Sequence, residues 1–152
     1  MPDIPAPEIP VPESDDETLG EAFWSVARRL RHLTHHTVTP FGITPGQARA
    51  IGVLRRHGGM RLSDLAEHLR IAPRSTTEVI DALQERGLAE RSPDPADRRA
   101  TLVTLTEAGD RIGAAVRSAR SAEADAFFGR LSDSDRETLA RILRSLRPTS
   151  TE

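Results

Sequence analysis

The chain has 152 residues, enough for one domain with an apolar core, and is 37% hydrophobic and 3% aromatic, with neither tyrosine nor cysteine. The missing cysteine excludes disulfides, thiolate metal ligands and a thiol redox switch within this sequence, and no apolar run approaches the roughly 18 residues of a membrane span. The net charge of −2 is unevenly spread: residues 1–27 hold seven acids and no base, while the remainder holds 16 acids against 21 bases, all of them arginine.

In chain order, MPDIPAPEIPVPE (residues 1–13) carries five prolines, which exclude a regular helix and predict an extended or disordered acidic tail. It lacks the basic start and apolar middle of a secretory leader, so a cytoplasmic protein is expected. Ser14-Asp15-Asp16-Glu17 reads as a capping box. Leu19, Phe23, Val26, Leu30 and Leu33 follow at helical spacing, predicting a helix from about 15 to the high thirties that Pro40 and Gly42 end. Thr44-Pro45-Gly46-Gln47 is a second capping box, opening a helix with Ala48, Ile51 and Leu54 on its apolar face and Gly58-Gly59 at its end. A strand of one or two residues near Met60 would complete a small sheet. Leu62, Leu65 and Leu69 then mark one short helix. Arg70-Ile71-Ala72 makes a turn, and Pro73 opens another helix that buries Val79, Ile80 and Leu83 and stops at Gly87. Leu88–Arg91 and Ala100–Leu105 read as strands, and the eight residues between them predict a protruding loop rather than a two-residue hairpin. Thr106-Glu107 caps a long helix through Ile112, Val116, Ala119 and Phe127, and Ser132 opens a last one with Leu139, Ile142, Leu143 and Leu146.

The order α-α-(β)-α-α-β-β-α-α describes a mainly α fold with a small β-hairpin wing, a winged helix-turn-helix between terminal helices. The division is a tail at 1–13, an N-terminal helix at 14–40, a winged DNA-binding domain at 44–106 and C-terminal helices at 107–147. The major groove admits one α-helix, whose first residues reach base edges. Arg74, Ser75, Thr76 and Thr77 hold that place after Pro73. Arginine can bond guanine through two donors, and the hydroxyls can reach bases or phosphates. Ser75 is equally readable as a cap, and Thr76 as half-buried. Asp97, Arg98 and Arg99 lie at the loop between the strands. A loop beside a reading helix can cross into the minor groove, whose narrow A·T-rich form attracts arginine. Asp97 is close enough in sequence to hold the Arg99 guanidinium. The alternative is a solvated hairpin tip with local ion pairs.

From Thr44 to Gly109 the sequence resembles the multiple-antibiotic-resistance regulator (MarR) family. The likeness rests on LSDLAEHL, on TEVIDALQERGLAER and above all on DPADRRATLVTLTEAG. The resemblance implies a homodimer held by interlocking terminal helices, with two winged domains on successive major grooves of a pseudo-palindromic double-stranded DNA operator. It implies a transcriptional repressor released by a small-molecule effector, often phenolic or aromatic, bound between the dimer helices and the winged domain. By position, Arg74 to Thr77 start the recognition helix, and Asp97 and Arg99 match the wing pair in which Asp orients Arg into the minor groove. Arg98 is expected on phosphate. Glu78 departs from the basic or neutral residue of many relatives; it can accept from cytosine N4 but repels phosphate.

His32, His35 and His36 cluster near the end of the first helix, with His57 and His68 elsewhere. They could bind zinc in a metal-responsive regulator, lie exposed at a helix C-terminus, or, for His32 and His36, line the effector pocket. Trp24 and Phe41 read as dimer or core packing. With no glycine-rich phosphate loop and no GxSxG, no cofactor and no catalytic residue are expected. The alternatives to a regulator are a winged-helix protein-interaction module and a small enzyme. Binding to duplex DNA separates the first from the regulator, and turnover of a ligand separates the second.

Overall fold

Helix α1 (Leu19–His35) starts where Thr18 and Glu21 satisfy each other's backbone. The Glu21 amide donates to Thr18 Oγ1 at 3.3 Å, and the Thr18 amide to Glu21 Oε2 at 2.8 Å. This corrects the start expected at about 15: the cap is Thr18, and Ser14 to Asp16 lie outside residues 17–147, which this computed structural model describes. The α-helix also stops short of the high thirties. His36–Phe41 tightens into a 3-10 helix that accommodates Pro40, and Gly42 closes it at φ 64°. The expected 1–13 tail lies outside the described residues.

Helix α2 (Pro45–His57) has the expected capping box, with Thr44 and Gln47 bonding reciprocally at 3.0 and 3.1 Å. Strand β1 (Met60–Arg61) leads into α3 (Leu62–Leu69). Arg70, in the left-handed region at φ 54°, turns the chain into α4 (Pro73–Glu85). Arg70 and Ile71 donate their amides to Glu67 and Ala66, so the turn satisfies the end of α3 despite a non-glycine residue there. Ile51, Leu65, Leu69, Ile80, Leu83 and Val103 are fully buried and join α2, α3 and α4 over the sheet.

That sheet has the order β1-β3-β2, antiparallel throughout, with β2 at Ala89–Asp94 and β3 at Asp97–Leu105. The eight-residue loop expected between the strands is therefore wrong. Pairing runs in register from Ala89↔Leu105 to Pro93↔Thr101, shifts past Arg98 to Ala100, and closes at Asp94↔Asp97, so the turn itself holds only Pro95 and Ala96. Ser92, Pro93 and Asp94 are poor strand formers. They extend the ladder because Asp94 Oδ1 accepts the Ala96 amide at 2.9 Å and shapes a tight turn. Pro93 is tolerated because β2 is an edge strand.

Helix α5 (Glu107–Phe128) is capped by Thr106, whose hydroxyl also donates to the Gly87 carbonyl at 2.6 Å. Gly109 sits against the Leu88 backbone, and Gly113 against Ile51 and Arg55 of α2. Helix α6 (Asp133–Ser145) follows the Ser132 cap. Leu19, Phe23, Trp24 and Val26 of α1 remain exposed, as do Leu131, Ile142 and Leu146 near the other end of the chain. No described helix is long and apolar enough to cross a membrane.

Candidate nucleic-acid interface

The first turn of α4 presents an open N-terminus. Its N-cap, Ala72, offers no side-chain acceptor, and Pro73 removes one donor, so the Arg74 and Ser75 amides face outward uncapped. Ser75 is exposed and does not cap the helix. Arg74 has 92% of its side chain exposed, and its Nε lies 3.3 Å from Glu78 Oε1 one turn later. Glu78 thus faces the same surface as the arginine it pairs with. Thr77 is exposed, with its hydroxyl donating to the Pro73 carbonyl at 3.1 Å. Thr76 must be removed from the expected reading set: it is 1% exposed and donates to Ala72 O at 3.2 Å. It packs inside the domain, where no base can reach it.

At the wing, Asp97, Arg98 and Arg99 follow the turn on β3, all exposed. Asp97 Oδ1 accepts the backbone amide of Arg99 at 3.0 Å. This corrects the expectation that it would hold the guanidinium: it fixes the chain that carries the side chain. Neither the Arg98 nor the Arg99 guanidinium has an ion-pair partner among the described residues. Both fall, with Ala100, in an irregular stretch of β3 between the Pro93↔Thr101 and Asp94↔Asp97 pairs.

Three arginines that the sequence reading passed over hold these surfaces in place. Arg91 of β2 reaches Asp81 at 2.7 Å and Gln84 at 2.5 Å, tying the wing to α4. Arg86, just past α4, donates to the Gly42 and Phe41 carbonyls at 2.7 and 3.1 Å, tying α4 to the junction before α2. Arg61 Nη2 lies 2.6 Å from Asp94 Oδ2, tying the wing turn to β1. Asp94 is 7% exposed. The Ala96 amide and then the Arg61 guanidinium hold its carboxyl below the usual carboxylate range. Its signal in the sequence was the Asp-Pro pair of a tight turn.

Asp94→Asn should loosen the wing, lowering the melting temperature by several degrees and weakening DNA binding. A depressed native pKa means that the carboxylate stabilises above its ordinary value of 3.8 and that this is lost as pH falls through the lowered native value. Thermal melts across pH should therefore show wild type and variant converging only in acid. Equal melting at neutral pH would contradict the clamp.

His32 and His36 stand edge to face at 5.2 Å, both exposed. His57 and His68 stack at 4.5 Å. No group of three or more potential metal ligands gathers among the described residues. A cavity of about 390 Å³ opens between α2 and α5, lined by Ile43, Ile51, Gly52 and Val116 with several arginines. Neither His32 nor His36 lines it.

The model of the MarR family matches residues 43–101, the span from the start of α2 into β3. An HTH-type transcriptional regulator of Mycobacterium tuberculosis is 30% identical over 127 residues, 84% of this chain and 88% of that protein. The chain belongs to the MarR family. A crystal structure of a mutant MarR from E. coli superposes with a TM-score of 0.79 at 24% identity, covering 87% of this chain and 98% of that one. A MepR mutant from S. aureus, bound to an oligodeoxyribonucleotide, superposes with a TM-score of 0.66 at 22% identity, covering 87% of this chain and all of that one (100%). This MarR-family chain is a DNA-binding transcriptional regulator with a winged helix-turn-helix fold.

Proposed function

We propose that the chain acts in the cytoplasm as a homodimeric repressor of a pseudo-palindromic operator. Helix α4 enters the major groove through Arg74, Ser75 and Thr77, and the wing lays Arg99 in the minor groove with Arg98 on phosphate. The observation that carries this reading is the pair of guanidiniums, without an ion-pair partner among the described residues, on a wing anchored beside an uncapped helix start. A small effector releases the DNA from the cavity between α2 and α5, rather than from His32 and His36. Arg86 supports that route, because it holds the carbonyls next to Ile43, a residue of the cavity wall. Recovery of bound fragments across the genome, followed by shift assays on the enriched sequence, tests the reading. Enrichment of no inverted repeat would sink it.

The terminal helices, α1 together with α5 and α6, make the dimer in this reading. Leu19 is 88% exposed, Trp24 57% and Leu146 73%, an apolar surface that water disfavours and a second copy would cover. Removing residues 1–12 should leave the dimer intact, and deleting from 131 onward should abolish it. Sedimentation of both truncations checks this. A folded monomer of the full chain at micromolar concentration would overturn it.

A further inference from the structure

Leu54 of α2 and Leu65 of α3 belong to one buried core. Three residues further along each helix stands a histidine, His57 on α2 and His68 on α3. Packing of the leucines therefore brings the two imidazoles side by side at the surface. Their rings stack with centroids 4.5 Å apart and planes 28° from parallel. Both side chains are exposed, and Gly58-Gly59, which follows His57, adds no side chain beside them. Neither imidazole has a hydrogen-bond or ion-pair partner among the described residues.

Imidazole suits zinc, nickel and copper, whereas magnesium and calcium want oxygen ligands. Two nitrogens bound to one tetrahedral zinc, each at about 2.0–2.1 Å, stand about 3.3 Å apart. The stacked rings are a side-chain rotation away from that spacing. Each histidine also lies in the last turn of its helix, where the carbonyl ends place partial negative charge. Two helix ends thus favour a cation at the same spot. His32 and His36 differ. Their planes are 90° apart, which aims the edge of one ring at the face of the other rather than both edges at one ion.

We propose that His57 and His68 hold one zinc or similar divalent transition ion, which staples the end of α2 to the end of α3. No third His, Asp or Glu gathers with them among the described residues, so water fills the remaining positions and the site stays open to solvent. The staple lies next to the turn of the helix-turn-helix. Leu69, which follows His68, has its carbonyl held by Arg49 of α2 at 2.5 Å. Ion and arginine therefore join the same two helices, one through side chains and the other through backbone. Neither histidine lines the α2–α5 cavity, and the proposal does not rest on the effector reading.

Calorimetry on the full-length, tag-free chain with zinc, nickel and magnesium chlorides tests the site. Zinc and nickel should each bind at one ion per chain, and magnesium should not bind. His57→Gln and His68→Gln should each weaken zinc by about tenfold or more, since a ligand matters at least as much as an outer-shell partner, whose loss costs about 10–100-fold. The double variant His32→Gln/His36→Gln should bind zinc like wild type. Zinc should raise the melting temperature of wild type and of that double variant and leave the two single variants where they were. Without zinc all four proteins should melt alike, because every substituted ring is exposed. No zinc binding, zinc binding that survives both single substitutions, or binding lost in the His32→Gln/His36→Gln protein instead would each overturn the proposal. Magnesium binding as strong as zinc binding would overturn it too, since imidazole is not a magnesium ligand.

Discussion

Gly109→Ala should lower the unfolding free energy by about 3 kcal/mol, the upper part of the range for overpacking a rigid site. A Cβ at this position would lie 1.9 Å from the Leu88 carbonyl oxygen and 2.9 Å from its carbon. Both partners are backbone, so no side chain can swing aside. The Leu88 oxygen is itself held by the Thr106 amide at 3.2 Å, and the Thr106 hydroxyl bonds the Gly87 carbonyl. The first turn of α5 would have to lift away from the start of β2, carrying the long helix off the winged domain. Gly52→Ala is the matched control of opposite sign. It meets nothing and should raise stability by about 0.5–1 kcal/mol through helix propensity alone. Urea titrations of both variants decide the matter. A Gly109→Ala protein within about 1 kcal/mol of wild type would show that the helix moves freely against β2.

At the wing, Arg99→Ala should weaken operator binding by about 1–3 kcal/mol, the range of one groove contact, with folding unchanged because the side chain is exposed. Arg98→Ala should weaken specific and non-specific DNA alike and reduce the salt slope by about one unit. Because one is expected in the groove and the other on phosphate, the double variant should lose about a hundredfold or more. Asp97→Ala should give a smaller loss in the same direction, since it frees the Arg99 amide without removing the guanidinium. Binding at two salt concentrations, with melts alongside, distinguishes these outcomes. An Arg99→Ala protein that binds like wild type would reduce the wing to a solvated hairpin.

What the sequence made legible here was what neighbouring residues decide among themselves. The capping oxygens of Thr44, Thr106 and Ser132, the apolar faces of α2 to α4 and the Pro73 helix start depend on spacings of a turn or less. The misread places depend on competition or on distant partners. Two acidic capping signals stood four residues apart, and Thr18 with Glu21 closed the reciprocal pair. The hairpin grew through Pro93 and Asp94 because Arg61, 33 residues away, anchors the turn. Thr76 looked like its exposed neighbours, but one position around a helix is about 100°, enough to turn it inward. The ties made by Arg86 and Arg91 carry no sequence mark beyond being arginines among many.

Pro93 has a further consequence, for how the protein meets other chains. The free side of β2 is an open sheet edge. Such an edge templates pairing with any extended chain, and a regulator crowded along a chromosome meets many. Pro93 has no amide hydrogen to offer a foreign strand, and the exposed Glu90 adds charge to the same strand. The residue that made the segment look unlike a strand is the one that keeps two exposed wings from adhering to each other, so Pro93→Thr should trade solubility for a more regular hairpin.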